Sequence, residues 1–208
     1  GASAFAHKAG LHVSAVEKDP SLYEHIDPAL VGNRRQIVVS DQSGRANILS
    51  NFRDMGIEIA NDDPRVMRLV DEVKDREFQG YAYDGAAASF ALLARRLVGT
   101  VPEYFQLESF RVIDERRVNA MGELVTMSEA TVKVTVGGAQ VMTVAEGNGP
   151  VNALDAALRK ALLPHYKPLH GMRLVDFKVR ILTPTDGTAA VTRVLIERAD
   201  TEDDRWTT

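Results

Sequence analysis

In the stretch EATVKVTVGGAQVMTVAEGNGPVNALDAALRKAL, residues 129–162, the spacing of the apolar residues changes midway. Ala130, Val132, Val134 and Val136 alternate with Thr131, Lys133 and Thr135, the period of a strand with one face buried. Two glycines, Gly137 and Gly138, suit a two-residue hairpin turn, so a returning strand is expected over 140–145. After GNG the period becomes helical. From Pro150, the residues Val151, Leu154, Leu158, Ala161 and Leu162 share one face, and Pro164 closes the helix. An earlier strand is expected at 106–114. Together these predict a β-β-β-α unit.

The order then restarts. RLVDFKVRIL reads as a strand with Val175, Phe177, Val179 and Ile181 on one side. A turn follows at Asp186 and Gly187, AAVTRVLIE reads as the next strand, and Trp206 would begin a third. The second half therefore reads as a pseudo-repeat whose second copy is cut short; one irregular sheet without a repeat is the alternative.

The first hundred residues have a helical period instead. Val66, Leu69, Val70 and Val73 follow NDDP, with Asp62 or Asp63 as N-cap and Pro64 at the first helical position. AAASFALLARRLV, within 85–98, is apolar nearly all round and predicts a helix sandwiched between partners. A short strand is expected at 36–39 and a helix at 45–54, ended by Gly56. The fold class is α+β, and the chain divides near 99–102.

Composition excludes several functions. The 25 basic and 29 acidic residues leave a net charge of −4, with no basic cluster on an expected helix, so a nucleic-acid partner is not indicated. There is no apolar run long enough to span a membrane. The chain has no cysteine, hence no disulfide framework, thiolate metal site or thiol nucleophile. A cytoplasmic location is the expectation. The chain opens without Met and closes on DDRWTT, and both ends are expected to be cuts.

Three stretches could carry chemistry. In SAFAHKAGLHVSAV, His7 and His12 stand five residues apart, about 140° around a helix, which is wrong for two ligands of one metal. None of the five histidines forms an H-x-H pair, so no metal site is expected within the chain. Each histidine reads either as a packing residue or as a proton-transfer group. In YEHIDPALVGN, Tyr23, His25 and Asp27 share a loop, and a tyrosine hydroxyl can donate to a developing oxyanion. QSGRAN is either an anion site with Arg45 or a loop-to-helix junction capped by Ser43. In EGNGPVN, Gly147 and Gly149 permit positive φ and close approach of a ligand, and the helix starting at Pro150 favours an anion. A tight strand-to-helix turn is the alternative.

Taken in order, GASAFAHKAGLHVSAV, YEHIDPALVGNRR, SDQSGRAN and GNGPVNALDAALRKAL closely resemble the C-terminal half of the 2-isopropylmalate synthase, homocitrate synthase and citramalate synthase family, over essentially the whole chain. HVSAV followed by YEHIDPALVGN is most similar to the citramalate synthase branch. The resemblance implies an acetyl-CoA-dependent acyltransferase that condenses acetyl-CoA with a 2-oxo acid, pyruvate for that branch. The divalent metal would lie in a TIM barrel that this chain lacks, and none would be bound here. Residues 1–99 would be helical linker subdomains completing the active site. Residues 100–208 would be a truncated allosteric domain of β-β-β-α units that binds an amino acid and dimerises. His12 would be the acid/base group and Tyr23 a positioning donor, acting over the partner subunit's barrel, while His7 would support the local helix. Gly147, Gly149, Pro150, Val151 and Asn152 would line the effector pocket, for isoleucine in citramalate synthases or leucine in isopropylmalate synthases. The chain alone would be inactive. A non-catalytic amino-acid-binding and dimerisation module is the rival reading.

Overall fold

The computed structural model describes residues 2–8, 10–99 and 101–208. Gly1 and Ala9 of the first motif, and Thr100 in the expected division, lie outside the described residues. In chain order the elements are β1 (Ala6–His7), α1 (Gly10–Lys18), β2 (Gln36–Ile37), α2 (Arg45–Asp54), α3 (Pro64–Phe78), α4 (Ala87–Leu97), β3 (Gln106–Val118), β4 (Leu124–Val136), β5 (Ala139–Gly147), α5 (Pro150–Leu162), β6 (Arg173–Ile181), β7 (Thr192–Ala199) and β8 (Arg205–Thr207). The fold is α+β. Strands β1 and β2 pair in parallel; β3-β4-β5 and β6-β7-β8 are antiparallel sheets.

The chain forms two compact units, Gly1–Val101 with Arg173–Thr208, and Pro102–Met172. In the first, the core gathers Ile48 and Phe52 of α2, Val66, Leu69, Val70 and Val73 of α3, and Phe90 and Ala94 of α4. The helix starts follow their local chemistry. The Asp63 carboxylate accepts from the Arg65 N–H at 2.8 Å and Pro64 occupies the first turn, as the sequence pattern required. α2 ends at Asp54, and Gly56 takes the left-handed φ of 67° there. α4 departs from expectation. It buries one face through Phe90 and Ala94 and leaves Leu92 38% exposed, so it is not covered all round.

In the second unit, Ala130, Val132, Val134 and Val136 are buried against α5, confirming the alternation. Val136 pairs with Ala139 across Gly137 and Gly138, both at positive φ, which closes a two-residue hairpin. The face that α5 presents is rotated from the one expected. Ala153, Ala157 and Ala161, four residues apart, are its buried centre with Leu162; Leu154 and Leu158 flank it, and Val151 is 49% exposed. Small side chains let the helix backbone approach the sheet. The Thr143 hydroxyl donates to the Ala157 carbonyl at 2.7 Å, and the Lys160 ammonium to the Val144 carbonyl at 2.8 Å.

Arg205–Thr207 pairs with β7, so the Trp206 segment is a strand. The expected turn at Asp186 and Gly187 is part of a 3₁₀ segment, Pro184–Ala189, with Gly187 at φ 57°. Among the described residues no helix is long and apolar enough to cross a membrane.

Candidate functional site

His12 lies on α1 and is exposed, while Val13 and Val16 of the same helix are buried. Tyr23 follows a 3₁₀ turn, Pro20–Leu22, capped by the Asp19 carboxylate, and is 45% exposed. The two rings meet, with centroids 4.4 Å apart and planes inclined by 34°. The structure thus brings together two residues eleven positions apart, and both face solvent. A cleft of about 610 Å³ in the same unit, lined by Arg34, Asn51, Tyr83 and Trp206 among others, takes in neither.

The surroundings of this pair hold what sequence reasoning missed. Glu24 is buried beside the exposed Tyr23. Its Oε1 accepts from His7 Nε2 at 2.9 Å and from Arg35 Nε at 2.8 Å, and its Oε2 accepts from Arg35 Nη2 at 2.6 Å. The Arg35 guanidinium, first, and the His7 bond hold the Glu24 carboxyl down at about 2, against the opposing effect of burial. His7 stands on β1 and binds a loop carboxylate, so it does not support a helix as expected. Two asparagines on one face of α2 tie down the same region: Asn47 donates to the Lys8 carbonyl at 2.9 Å and Asn51 to the Ile37 carbonyl at 3.1 Å.

The other members of the loop have structural partners. Asp27 caps a 3₁₀ turn, Pro28–Val31, by accepting from the Ala29 N–H, and His25 is exposed. In QSGRAN, Gly44 and not Ser43 is the N-cap, because the Ser43 hydroxyl accepts from the Ser40 N–H at 2.9 Å. Arg45 donates from Nη1 to the Asn61 carbonyl at 2.5 Å.

The GNGP turn forms the start of α5. Gly149 is its N-cap at φ −179°, an extended conformation open to any residue, and Gly147 is not at positive φ either, so the expected left-handed backbone is not present. Gly147 is required for a different reason. A Cβ there would lie 2.4 Å from the Ala153 nitrogen and 2.7 Å from Asn152 Oδ1, whereas one on Gly149 would meet nothing within 4 Å. The close approach is made by the chain's own helix. Pro150, Val151 and Asn152 stand exposed at the helix start, and the Asn152 side chain accepts from the Asn148 N–H at 3.2 Å.

Among the described residues no group of three or more His, Cys, Asp or Glu could hold a metal ion. The divalent metal implied by the resemblance finds no ligand set here, and no step is assigned to it.

Comparison with known proteins bears on the chain as a whole. Residues 84–208 match the model of the LeuA allosteric (dimerisation) domain, and residues 1–79 that of the homocitrate synthase post-HMGL domain-like family. The chain is 50% identical, over its whole length, to the (R)-citramalate synthase of Geobacter sulfurreducens, and covers 39% of that protein. It is 50% identical over 96% of its length to the (R)-citramalate synthase of Streptomyces coelicolor, covering 37% of it. To that of Aquifex aeolicus it is 46% identical over 96% of its length, again covering 37%. The chain therefore spans less than two-fifths of the length of these relatives. It belongs to the 2-isopropylmalate synthase, homocitrate synthase and citramalate synthase family, in which it joins a post-HMGL-like region to a LeuA allosteric (dimerisation) domain.

Proposed function

We propose that this chain is the active-site-completing and regulatory part of an (R)-citramalate synthase, an acyltransferase that condenses acetyl-CoA with pyruvate and then hydrolyses the thioester. The observation that carries the reading is the match along the entire chain to enzymes of that name at 50% identity. The contact between the His12 and Tyr23 rings supports it chemically. Condensation needs a proton removed from the acetyl methyl group and a donor for the oxygen that becomes an enolate or alkoxide. The His12 imidazole suits the first task or polarises the carbonyl, and the Tyr23 hydroxyl suits the second. Both groups act efficiently only out of bulk water. Their exposure fits a pair that is covered by another surface, the barrel of the partner subunit, where acetyl-CoA, the oxo acid and the divalent metal would also be held. The chain alone is then inactive.

Residues 1–99 are assigned to the linker subdomains and 100–208 to the regulatory domain, in which β3-β4-β5-α5 is one β-β-β-α unit and β6-β7-β8 the start of its repeat. Dimerisation is assigned to this domain, where Leu107 and Phe110 of β3 stand at least half exposed. Gly147, Gly149, Pro150, Val151 and Asn152 are assigned to the effector, with isoleucine as the amino acid. The first N–H groups of α5 are suited to its carboxylate.

Two experiments test these assignments. In the full-length protein, His12→Ala lowers kcat by about 10²–10⁴ if His12 is the acid/base group; an unchanged kcat would leave the binding-module reading in its place. In a thermal-shift titration of the chain, isoleucine raises stability by about 2.7 kcal/mol at 100 times its Kd. A shift with leucine alone would move the assignment to isopropylmalate synthase.

A further inference from the structure

We infer that Glu24 is a positioning residue for the His12–Tyr23 pair: its buried, clamped carboxylate fixes the loop from which Tyr23 reaches His12. The inference rests on the proposed role of that pair and adds to it a residue whose hydrogen bonds go to His7 and Arg35.

The loop has few other anchors. Of residues 20–31, Glu24 and Pro28 alone are buried. The apolar side chains that might have pinned the segment face outward, Leu22 at 61% and Leu30 at 76% exposure. Capping by Asp19 and Asp27 shapes the 3₁₀ turns on either side through bonds to Ser21 and Ala29. Glu24 hydrogen-bonds beyond the loop, to His7 seventeen residues before it and Arg35 eleven after it. His7 belongs to β1 and Arg35 immediately precedes β2, and the register of this parallel pair joins Ala6 to Gln36 and His7 to Ile37. The clamp therefore refers the position of Tyr23 to a hydrogen-bonded platform.

A charge in this place needs a reason, because an apolar anchor would avoid the desolvation cost. Direction supplies it. Two parallel bonds from one guanidinium fix the orientation of the carboxylate plane, which a greasy contact does not. Tyr23 is the adjacent residue, so rotation of the Glu24 backbone would swing its ring off His12. The Arg35 guanidinium, with the His7 bond, holds the carboxyl down at about 2, so it is ionised near neutral pH.

The test is nuclear magnetic resonance of the chain with ¹³C-labelled histidine. Tyr23→Leu first identifies the ring-current displacement that Tyr23 imposes on His12. In Glu24→Gln, an isostere with an amide N–H₂ facing one of three donors, the His12 signals are expected to move to their Tyr23→Leu positions. The methyl signals of Ile48, Leu69 and Val73 in the core are expected to stay where they are. An undisplaced core with the His12 signals also unmoved would overturn the inference, as would a Tyr23→Leu variant that leaves His12 unaffected. If Glu24→Gln does not fold, Arg35→Lys decides by the same readout, since it keeps the charge and removes the fork at a side chain that is 36% exposed. Because the readout is ring geometry and not turnover, it can fail or succeed independently of the catalytic reading, which His12→Ala tests by kcat.

Discussion

Gly147 and Gly149 lie two residues apart and answer to different constraints. A methyl group on Gly147 would collide with the backbone of Ala153, so Gly147→Ala is expected to cost about 1–3 kcal/mol, as overpacking does. Gly149 has open space and an extended backbone, and Gly149→Ala is expected to stay within about 1 kcal/mol of the parent. Thermal melts of the two variants check this. Loss of amino-acid binding in Gly149→Ala then reports on the effector, whereas the same loss in Gly147→Ala would not. Glu24 makes a second expectation. Its carboxyl is lowered from 4.5 to about 2 in the folded chain, so its contribution is complete above about pH 4.5 and disappears as the pH falls toward 2. Arg35 is partly exposed and solvent screens it, which leaves on the order of 2 kcal/mol. Glu24→Gln should remove that part of the acid dependence in urea titrations at pH 5 and pH 3; an identical slope with pH in both proteins would exclude it. His12 and Tyr23 were legible through the motifs that carry them. Glu24 was not, because a lone acidic residue in a loop has no period, and its burial is created by partners eleven and seventeen residues away.

At the scale of elements, the β3-β4-β5-α5 unit depends on a hairpin and on a thin stripe of alanine. Gly138 is left-handed and meets nothing, so Gly138→Ala should cost about 1–2 kcal/mol for its backbone alone. Gly137→Ala should cost more, because its Cβ would also come within 2.8 Å of the His165 ring. Equal melting temperatures for the two variants would contradict that ranking. Ala157 is fully buried, and the Thr143 hydroxyl bonds to its carbonyl. Ala157→Leu is expected to push α5 off the sheet at a cost of about 1–3 kcal/mol, read from denaturant melts. Strand alternation, the GG turn and the Asp63 cap were all readable in the chain, since each is a local rule obeyed locally. The face of α5 was misjudged because periodicity weights Val and Leu over Ala, while the sheet selects the residues that let the backbone come closest. The all-round burial expected of α4 failed for a related reason: apolar composition makes burial favourable but does not supply a partner for each face.

For the whole molecule, the assigned family and the exposed His12–Tyr23 pair must be read together. In the proposed reading, the exposed pair of His12 and Tyr23 has the groups for catalysis but needs a covering surface that the chain alone does not supply. Release of CoA thiol from acetyl-CoA by the chain alone, at a rate that follows its concentration, would therefore contradict the arrangement proposed. The most direct test of the central claim is the same assay on the full-length protein that carries this chain, with pyruvate and a branched-chain 2-oxo acid supplied in parallel. Turnover with pyruvate is expected, and is lost in His12→Ala. Turnover with the branched acid alone, or none with pyruvate, would contradict it.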